Sequence, residues 1–215
     1  MFEIREYKQR KENISQQVFA GAKKLDDDMA MGEAVLDEDL LDEVTALNEW
    51  PIAVAGEFEE NFLQVPAEAL IKTMQDNQKY FPVRGADGKL KNYFITISNI
   101  DSKSPEKVKA GNERVIRPRL ADAMFFWEQD QKQSLESFNV ALEDVVFQKE
   151  LGTISEKTRR VAQLAEYIAT QLNANIEHVK RAALLSKCDL MTGMVGEFAS
   201  LQGVMGNRYA QVAGE

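Results

Sequence analysis

Apolar residues recur at helical spacing over most of this chain and alternate like strands over one short part. From Ile4 to Lys24, Ile4, Tyr7, Ile14, Val18 and Ala22 lie among Lys, Arg, Glu and Gln, which predicts a helix ended by Asp26-Asp27-Asp28 and a flexible loop to Gly32. Leu36, Leu40, Leu41, Val44 and Leu47 share one face of a short acidic helix over Asp37–Asn48. Trp50 to Phe58 reads as a strand, and Pro66 opens a helix that runs to about Gln75. Lys79–Val83 and Leu90–Asn99 flank an Asp87-Gly88 turn and predict a β-hairpin. Pro82 pushes its strand towards an edge or a bulge. Tyr93, Ile95 and Ile97 alternate with Phe94, Thr96 and Ser98, as in a half-buried strand.

Ser104-Pro105-Glu106 begins another helix, which Gly111-Asn112 interrupts and which restarts near Pro118 before the aromatic run Phe125-Phe126-Trp127. Ser134–Glu150 reads as a helical connector, and Leu151-Gly152 marks a boundary between a β-containing part and an all-helical part. Thr153-x-x-Glu156 has the form of a capping box, and Val161, Leu164, Ala165, Ile168 and Leu172 form a clean apolar stripe on the helix it starts. A second helix is expected over Ile176–Met191, with Val179, Ala182, Ala183 and Leu185 inward. The fold class is therefore α+β, with N-terminal helices and a small antiparallel sheet over 1–150 and a helical domain from 151 to 215.

The last two helices, from Leu151 to Leu190, resemble the metal-binding pair of HD-domain phosphohydrolases, whose second helix commonly ends AALLHDIGK. Here Arg160-Val161-Ala162 sets the register, so the first His position falls on Lys157 and the His-Asp doublet on Ser186-Lys187. A divalent site needs neutral imidazoles and carboxylates converging on the ion, and two ammonium groups in their place repel it. His178, the only histidine, sits two turns or more from Ser186 and does not rebuild the cluster. Cys188 has no second His near it and reads as a buried small residue. Gly203-Val204-Met205-Gly206 lacks the Lys-Ser/Thr of a phosphate loop and reads as a flexible turn. No catalytic, cofactor or metal residue is expected.

Charge changes this picture in one respect. The net charge is −9, yet 13 of the 35 acids lie between Leu25 and Glu60, where there is no Lys or Arg. The remainder holds 22 acids against 26 bases, so a polyanionic partner stays open. Lys103–Arg119 carries six bases and two acids. Arg114, Arg117 and Arg119 cannot all share one helical stripe; they are candidates for RNA-phosphate contact, against a reading as surface charge with local ion pairs. Lys157, Arg159, Arg160 and Lys187, lining what would be a phosphate-ester pocket without its metal, are the second set of candidates. One cysteine, no signal peptide and no long apolar run give a cytoplasmic, non-membrane expectation. Both ends read as cut from a longer protein.

The stretches LLDEVTALNEWPIAV, VPAEALIKTMQDNQKYFPV, GNERVIRPRLADAMFFW, LGTISEKTRRVAQLA and LLSKCDLMTGMVGEFASLQGVMGNRYA closely resemble the β subunit of bacterial heterotetrameric glycyl-tRNA synthetase. The resemblance covers roughly Asp39 to Ala210. It implies a B3/B4-like region over 1–150, similar to that of phenylalanyl-tRNA synthetase, and the start of a degenerate HD-like domain over 151–215. It further implies a glycine–tRNA ligase of two α and two β subunits that charges tRNA(Gly). ATP and Mg would act in the α subunit, and this region would contribute tRNA recognition and subunit assembly. A purely structural scaffold for the α subunit, or an HD-type phosphohydrolase or regulator, are the alternatives.

Overall fold

Most of the expected elements form in the computed structural model, which describes residues 6–25 and 32–215. Ile4, Asp26-Asp27-Asp28 and most of the loop expected to reach Gly32 lie outside the described residues. Two compact units divide the chain between Met124 and Phe125. No helix among the described residues is long and apolar enough to cross a membrane.

In the first unit, helix α1 (Tyr7–Lys23) buries Ile14, Val18 and Ala22. Helix α2 (Glu38–Leu47) starts where the Asp37 carboxylate accepts from the Leu40 N–H at 2.9 Å. Acids at Glu38 and Asp39 in its first turn complement the helix dipole. Leu40, Leu41 and Val44 are buried, but Leu47 is 62% exposed and leaves the predicted face. The acidic helix is partly neutralised by α1: Lys11 pairs with Asp42 at 2.5 Å and Glu38 at 2.9 Å, and the Tyr7 hydroxyl donates to Asp42 at 2.6 Å. Lys11 first, and Tyr7 second, hold the Asp42 carboxyl below its ordinary range.

Strands β1 (Glu33–Ala34), β2 (Ile52–Glu57), β3 (Phe81–Arg84) and β4 (Leu90–Ser98) form one antiparallel sheet in the order β1-β3-β4-β2. The Asp87-Gly88 hairpin forms as expected, with Gly88 at φ +73. Pro82 takes the second of its two predicted roles: β3 lies between two strands, and its register shifts between Pro82 and Arg84. Strand β4 departs from the half-buried expectation, because Phe94, Ile95 and Thr96 are all buried. Alternating side chains point to opposite faces, and here both faces are covered. Ile95 joins Ile14, Val18, Leu41, Val44 and Phe81 in one core. Phe94 serves the other face, where the Tyr80 ring stacks on it at 4.5 Å and 7°. Gly56, directly opposite Phe94 in register, makes room for that ring: a Cβ there would lie 2.3 Å from the Phe94 Cζ. Burial raises the Tyr80 phenol to about 12, and its hydroxyl donates to Asn112 Oδ1 at 2.7 Å.

Pro66 caps helix α3 (Ala67–Lys72), which continues as a π-helical turn over Thr73–Asn77. Helix α4 (Pro105–Asp130) corrects the sequence reading, since it passes unbroken through Gly111-Asn112 and Pro118. Asn112 stays in the helix because its amide donates to the Val108 carbonyl at 2.8 Å while its oxygen takes the Tyr80 hydroxyl. An internal proline costs about 3 kcal/mol by removing one helical hydrogen bond. Ile116 and Leu120, both fully buried, each return about 1.5–3 kcal/mol and offset it.

The second unit opens with Trp127 and Asp130 at the end of α4. The predicted helical connector is a 3-10 helix over Leu135–Glu143, capped by Ser134. It is followed by a small hairpin of β5 (Val146–Gln148) and β6 (Gly152–Thr153) rather than by helix to Glu150. Gly152 at φ +80 supplies the turn that a β-carbon would strain. The capping box forms: the Thr153 hydroxyl accepts from Glu156 N–H at 3.2 Å, and the Glu156 carboxylate accepts from Thr153 N–H at 2.8 Å. It starts helix α5 (Ile154–Gln171), which leads through Asn175 as cap into α6 (Ile176–Leu185). The apolar stripe of α5 is not its buried face. Ser155, Thr158 and Ala169 are its buried residues, whereas Val161, Leu164, Ile168 and Leu172 are exposed. The small residues are thus the buried ones, and the bulky ones face away. In α6, Ala183 and Leu185 are buried as expected and Ala182 is exposed.

Helix α6 ends at Leu185, six residues before the expected Met191. The chain continues through a 3-10 turn at Cys188–Met191, α7 (Gly193–Glu197), a second 3-10 turn at Ala199–Leu201, and α8 (Val204–Ala213). Helices this short do not hold themselves in water. Two buried carboxylates anchor them. Asp130 accepts from the Gly193 N–H at 2.8 Å, the Met194 N–H at 3.0 Å and the Tyr209 hydroxyl at 2.7 Å. Asp189, fully buried, accepts from the N–H groups of Gly203 and Gly206, the latter at 3.0 Å. A Cβ at Gly206 would stand 3.1 Å from the Asp189 carboxyl carbon. The glycines read as a flexible turn therefore form an anchored helix start, with Gly203 at φ +85.

Replacing Gly56 by alanine should destabilise the fold by about 1–3 kcal/mol, because the Phe94 ring must move. Urea unfolding measures this, and an unchanged midpoint would show that the ring is free to shift. Asp130→Ala removes the acceptor of three donors that are then left buried. It should cost roughly 3 kcal/mol or more, read as a loss of thermal stability; Glu128→Ala, on the exposed side of the same turn, is the control that should change little.

Candidate nucleic-acid interface

Helix α4 turns one side towards the sheet and presents bases on the other. Ile116, Leu120 and Ala123 are buried. Lys107, Gly111 and Arg114 recur at i, i+4 and i+7, so they share the opposite side of a helix with 3.6 residues per turn. An open groove of about 470 Å3 runs along them, lined by Lys107, Ala110, Gly111, Glu113, Arg114 and Arg117. Nothing lies within 4 Å of where a Gly111 Cβ would stand, so the backbone there is uncovered between two cations.

Partners separate these bases. Arg117 pairs with Glu59 through Nε at 2.5 Å. A backbone hydrogen bond, and after it Arg117, hold the Glu59 carboxyl below its usual range. Lys109 lies 3.6 Å from Glu57 and 3.5 Å from Glu113, and Glu113 also accepts from the Glu57 N–H at 3.0 Å. Lys107, Arg114 and Arg119 are exposed and have no carboxylate partner among the described residues. Arg119 stands about 140° around the helix from Arg114, so it does not share the groove. Sequence reasoning found Arg114 and Arg117 but missed Lys107 and Gly111, because it broke the helix at Gly111. The i, i+4, i+7 spacing was the signal. An unpaired guanidinium offers a planar fork to phosphate and an unpaired ammonium a point charge.

The second set of candidate bases belongs to the other unit and is spread out. Lys157 Nζ lies 4.0 Å from the centroid of the Phe147 ring, a cation–π contact. Arg159 pairs with Glu143 at 2.6 Å, and Arg160 donates to the Leu151 carbonyl at 2.9 Å. Lys187, half-buried, has no carboxylate partner among the described residues. Arg159 lines a cavity of about 510 Å3 with Ser155, Thr158, Glu177 and Lys180; Lys157 and Lys187 do not line it.

Two of the three positions that the HD resemblance gives to metal ligands, Lys157 and Ser186, are otherwise engaged. The Ser186 hydroxyl donates to the Ala183 carbonyl at 2.8 Å, and Lys157 covers Phe147. Among the described residues no three His, Cys, Asp or Glu side chains converge. His178 and Ser186 both border a cavity of about 590 Å3, where Arg181 is held by Glu136 at 2.6 Å and by Glu215. Burial, and then the neighbouring Asp189, push the Cys188 thiol up to about 11, which leaves it a poor nucleophile. Burial and the Asp130 hydrogen bond likewise raise the Tyr209 phenol, whose ring stacks on Trp127 at 4.9 Å. Asp130 and Asp189 act on backbone N–H groups and hold short helices in place.

The family model described as glycyl-tRNA synthetase beta subunit matches residues 3–215. The glycine–tRNA ligase beta subunit of Pseudoalteromonas translucida is 55% identical over 212 residues, covering 99% of this chain and 30% of that one. That of Pseudomonas aeruginosa is 57% identical over 184 residues, 86% of this chain and 27% of that one. The Chromohalobacter salexigens protein of the same name is 51% identical over 212 residues, again 99% and 30%. The chain thus spans about 30% of the length of these curated relatives. A match of this extent, carried through both units and through the basic groove on α4, establishes that the chain belongs to the glycyl-tRNA synthetase beta subunit family.

Proposed function

We propose that this chain serves glycine–tRNA ligase as a tRNA-recognising and assembly region of the β subunit, while the chemistry of glycine activation is performed elsewhere. The observation that carries this reading is the strip of unpaired cations, Lys107 and Arg114, flanking the bare backbone of Gly111 on α4. Such a strip suits the phosphate backbone of an RNA, where charge neutralisation supplies sequence-independent affinity. The engaged side chains at Lys157 and Ser186, and the raised Cys188, support a role without bond making in this region. In this reading ATP and Mg belong to the α subunit, two α and two β subunits form the working enzyme, tRNA(Gly) is the substrate, and the location is the cytoplasm. The reading keeps 1–150 as a B3/B4-like region and 151–215 as the beginning of a degenerate HD-like domain, with Lys157, Arg159, Arg160 and Lys187 as a secondary set of phosphate contacts.

In the assembled enzyme, Arg114→Ala should weaken tRNA binding and raise the KM for tRNA with kcat little changed. It should also reduce the slope of log affinity against log salt by about 0.9, one phosphate contact on a duplex. Arg117→Ala should do less, because Glu59 already neutralises it. Affinity and salt slope unchanged in Arg114→Ala and in Lys107→Ala would favour the scaffold reading instead. For the helical pair, Lys187→Glu is a cleaner test than Lys157→Glu, which also loses its contact over Phe147. Filter-binding titrations over a salt series should show weaker tRNA binding for Lys187→Glu, and an unchanged curve removes this set from the interface.

A further inference from the structure

In the C-terminal unit, the 3-10 helix over Leu135–Glu143, α5 and α6 wall the cavity of about 510 Å3. Three polar groups that line it are left unsatisfied by the protein. Ser155 and Thr158 on α5 are each only 5% exposed, and neither hydroxyl has a hydrogen-bond partner among the described residues. Elsewhere the chain spends its buried helical hydroxyls on the carbonyl four residues back, Thr45 on Leu41 at 2.7 Å and Thr73 on Ala69 at 2.8 Å. Ser155 and Thr158 lie three residues apart, so they share one face of α5. From the 3-10 helix, Asn139 adds an amide oxygen that is buried and likewise unpartnered. Buried polar groups are nearly always hydrogen-bonded, and three orphan acceptors around one cavity mark a place for a donor that the protein itself does not supply.

Charge decides what kind of donor fits. The cations lining the cavity are already engaged: Arg159 with Glu143 at 2.6 Å, Lys180 with Glu166 at 3.3 Å, and Arg181 with Glu136 at 2.6 Å and with Glu215. Glu177, also on the lining, has no Lys or Arg partner among the described residues. With partners counted, five carboxylates stand against three cations around the cavity. That balance opposes an anion such as phosphate and favours a positive charge. A bare metal ion does not fit either, since no set of three His, Cys, Asp or Glu converges among the described residues and the space is far larger than an ion. We propose that this cavity binds an aliphatic diamine, with a protonated amino group at each end of a short alkyl chain. An ammonium carries three N–H donors and no acceptor, which suits the oxygens of Asn139, Ser155 and Thr158. Ala162 and Leu184 give the alkyl chain an apolar wall, and Glu177 is left for the second ammonium. The amine site lies in the other unit from the basic groove on α4, and it stands whether or not that groove contacts tRNA.

The test uses the full-length β chain containing this sequence, free of RNA, with putrescine as the probe and isothermal titration calorimetry as the readout. Putrescine should bind at one saturable site, and neither butanediol, of the same length without charge, nor inorganic phosphate should compete for it. Thr158→Val removes one hydroxyl at nearly constant volume, and Glu177→Gln removes the unpaired charge. Each should weaken putrescine binding roughly tenfold or more, as expected for losing one hydrogen bond or contact to a charged group. Glu128→Gln, an exposed acid that does not line the cavity, should leave the affinity unchanged. The proposal is overturned by the absence of saturable binding, by unchanged affinity in both Thr158→Val and Glu177→Gln, by an equal loss in Glu128→Gln, or by competition from butanediol or phosphate. If Thr158→Val fails to fold, Glu177→Gln still decides, because Glu177 is exposed.

Discussion

A carboxylate buried against backbone N–H groups is the interaction on which the C-terminal unit depends. Between Cys188 and Ala213 the chain forms five or fewer residues of helix at a time before α8, too little for any piece to be stable by itself. Asp130 gathers the start of α7 and the Tyr209 hydroxyl of α8 onto one side chain. Asp189 does the same for the start of α8 through Gly203 and Gly206. Each converts orphan donors at a helix start into charge-assisted hydrogen bonds, stronger than neutral ones and stronger again away from water. Gly206 belongs to the same device, since a side chain there would press on the carboxylate.

The N-terminal unit solves a different problem, a sheet covered on both faces by one short strand set. Phe94 and Ile95 are neighbours in sequence and serve opposite cores. The approach of Phe94 to Gly56, and the stacking of Tyr80 on Phe94, link the sheet to α4 through the Tyr80–Asn112 hydrogen bond. This packing fixes which side of α4 faces the sheet. The bases at Lys107 and Arg114 are thereby placed on the free side, while Lys109 and Arg117 are drawn to Glu57, Glu113 and Glu59. Local ion pairing thus divides a run of six bases into spent and available charges.

Sequence periodicity located α1 to α6 and strands β2, β3 and β4, because side-chain spacing follows the backbone period, but not the short β1, β5, β6, α7 and α8. The capping box at Thr153 and the Asp87-Gly88 turn were legible for the same reason: their hydrogen bonds and backbone angles are local. The breaks expected at Gly111 and Pro118 did not occur, since long-range burial of Ile116 and Leu120 and the Tyr80–Asn112 contact outweighed local propensity. The family likeness was legible too, in uninterrupted stretches spread over both units.

What the sequence by itself determined is therefore the place of α1 to α6 and of the β3–β4 hairpin, the α+β class and the family. Only the tertiary structure decided which face of each element is buried. The apolar stripe of α5 is real as a pattern, but the small residues Ser155, Thr158 and Ala169 are the buried ones and Leu164 and Ile168 face out, because burial depends on which neighbours pack against the helix and not on its own periodicity. In the same way, an aspartate reads as a surface acid in any one-dimensional pattern. Asp130 and Asp189 become anchors only when distant backbone N–H groups are folded onto them, 63 and 14 residues away, and no local spacing encodes such a contact.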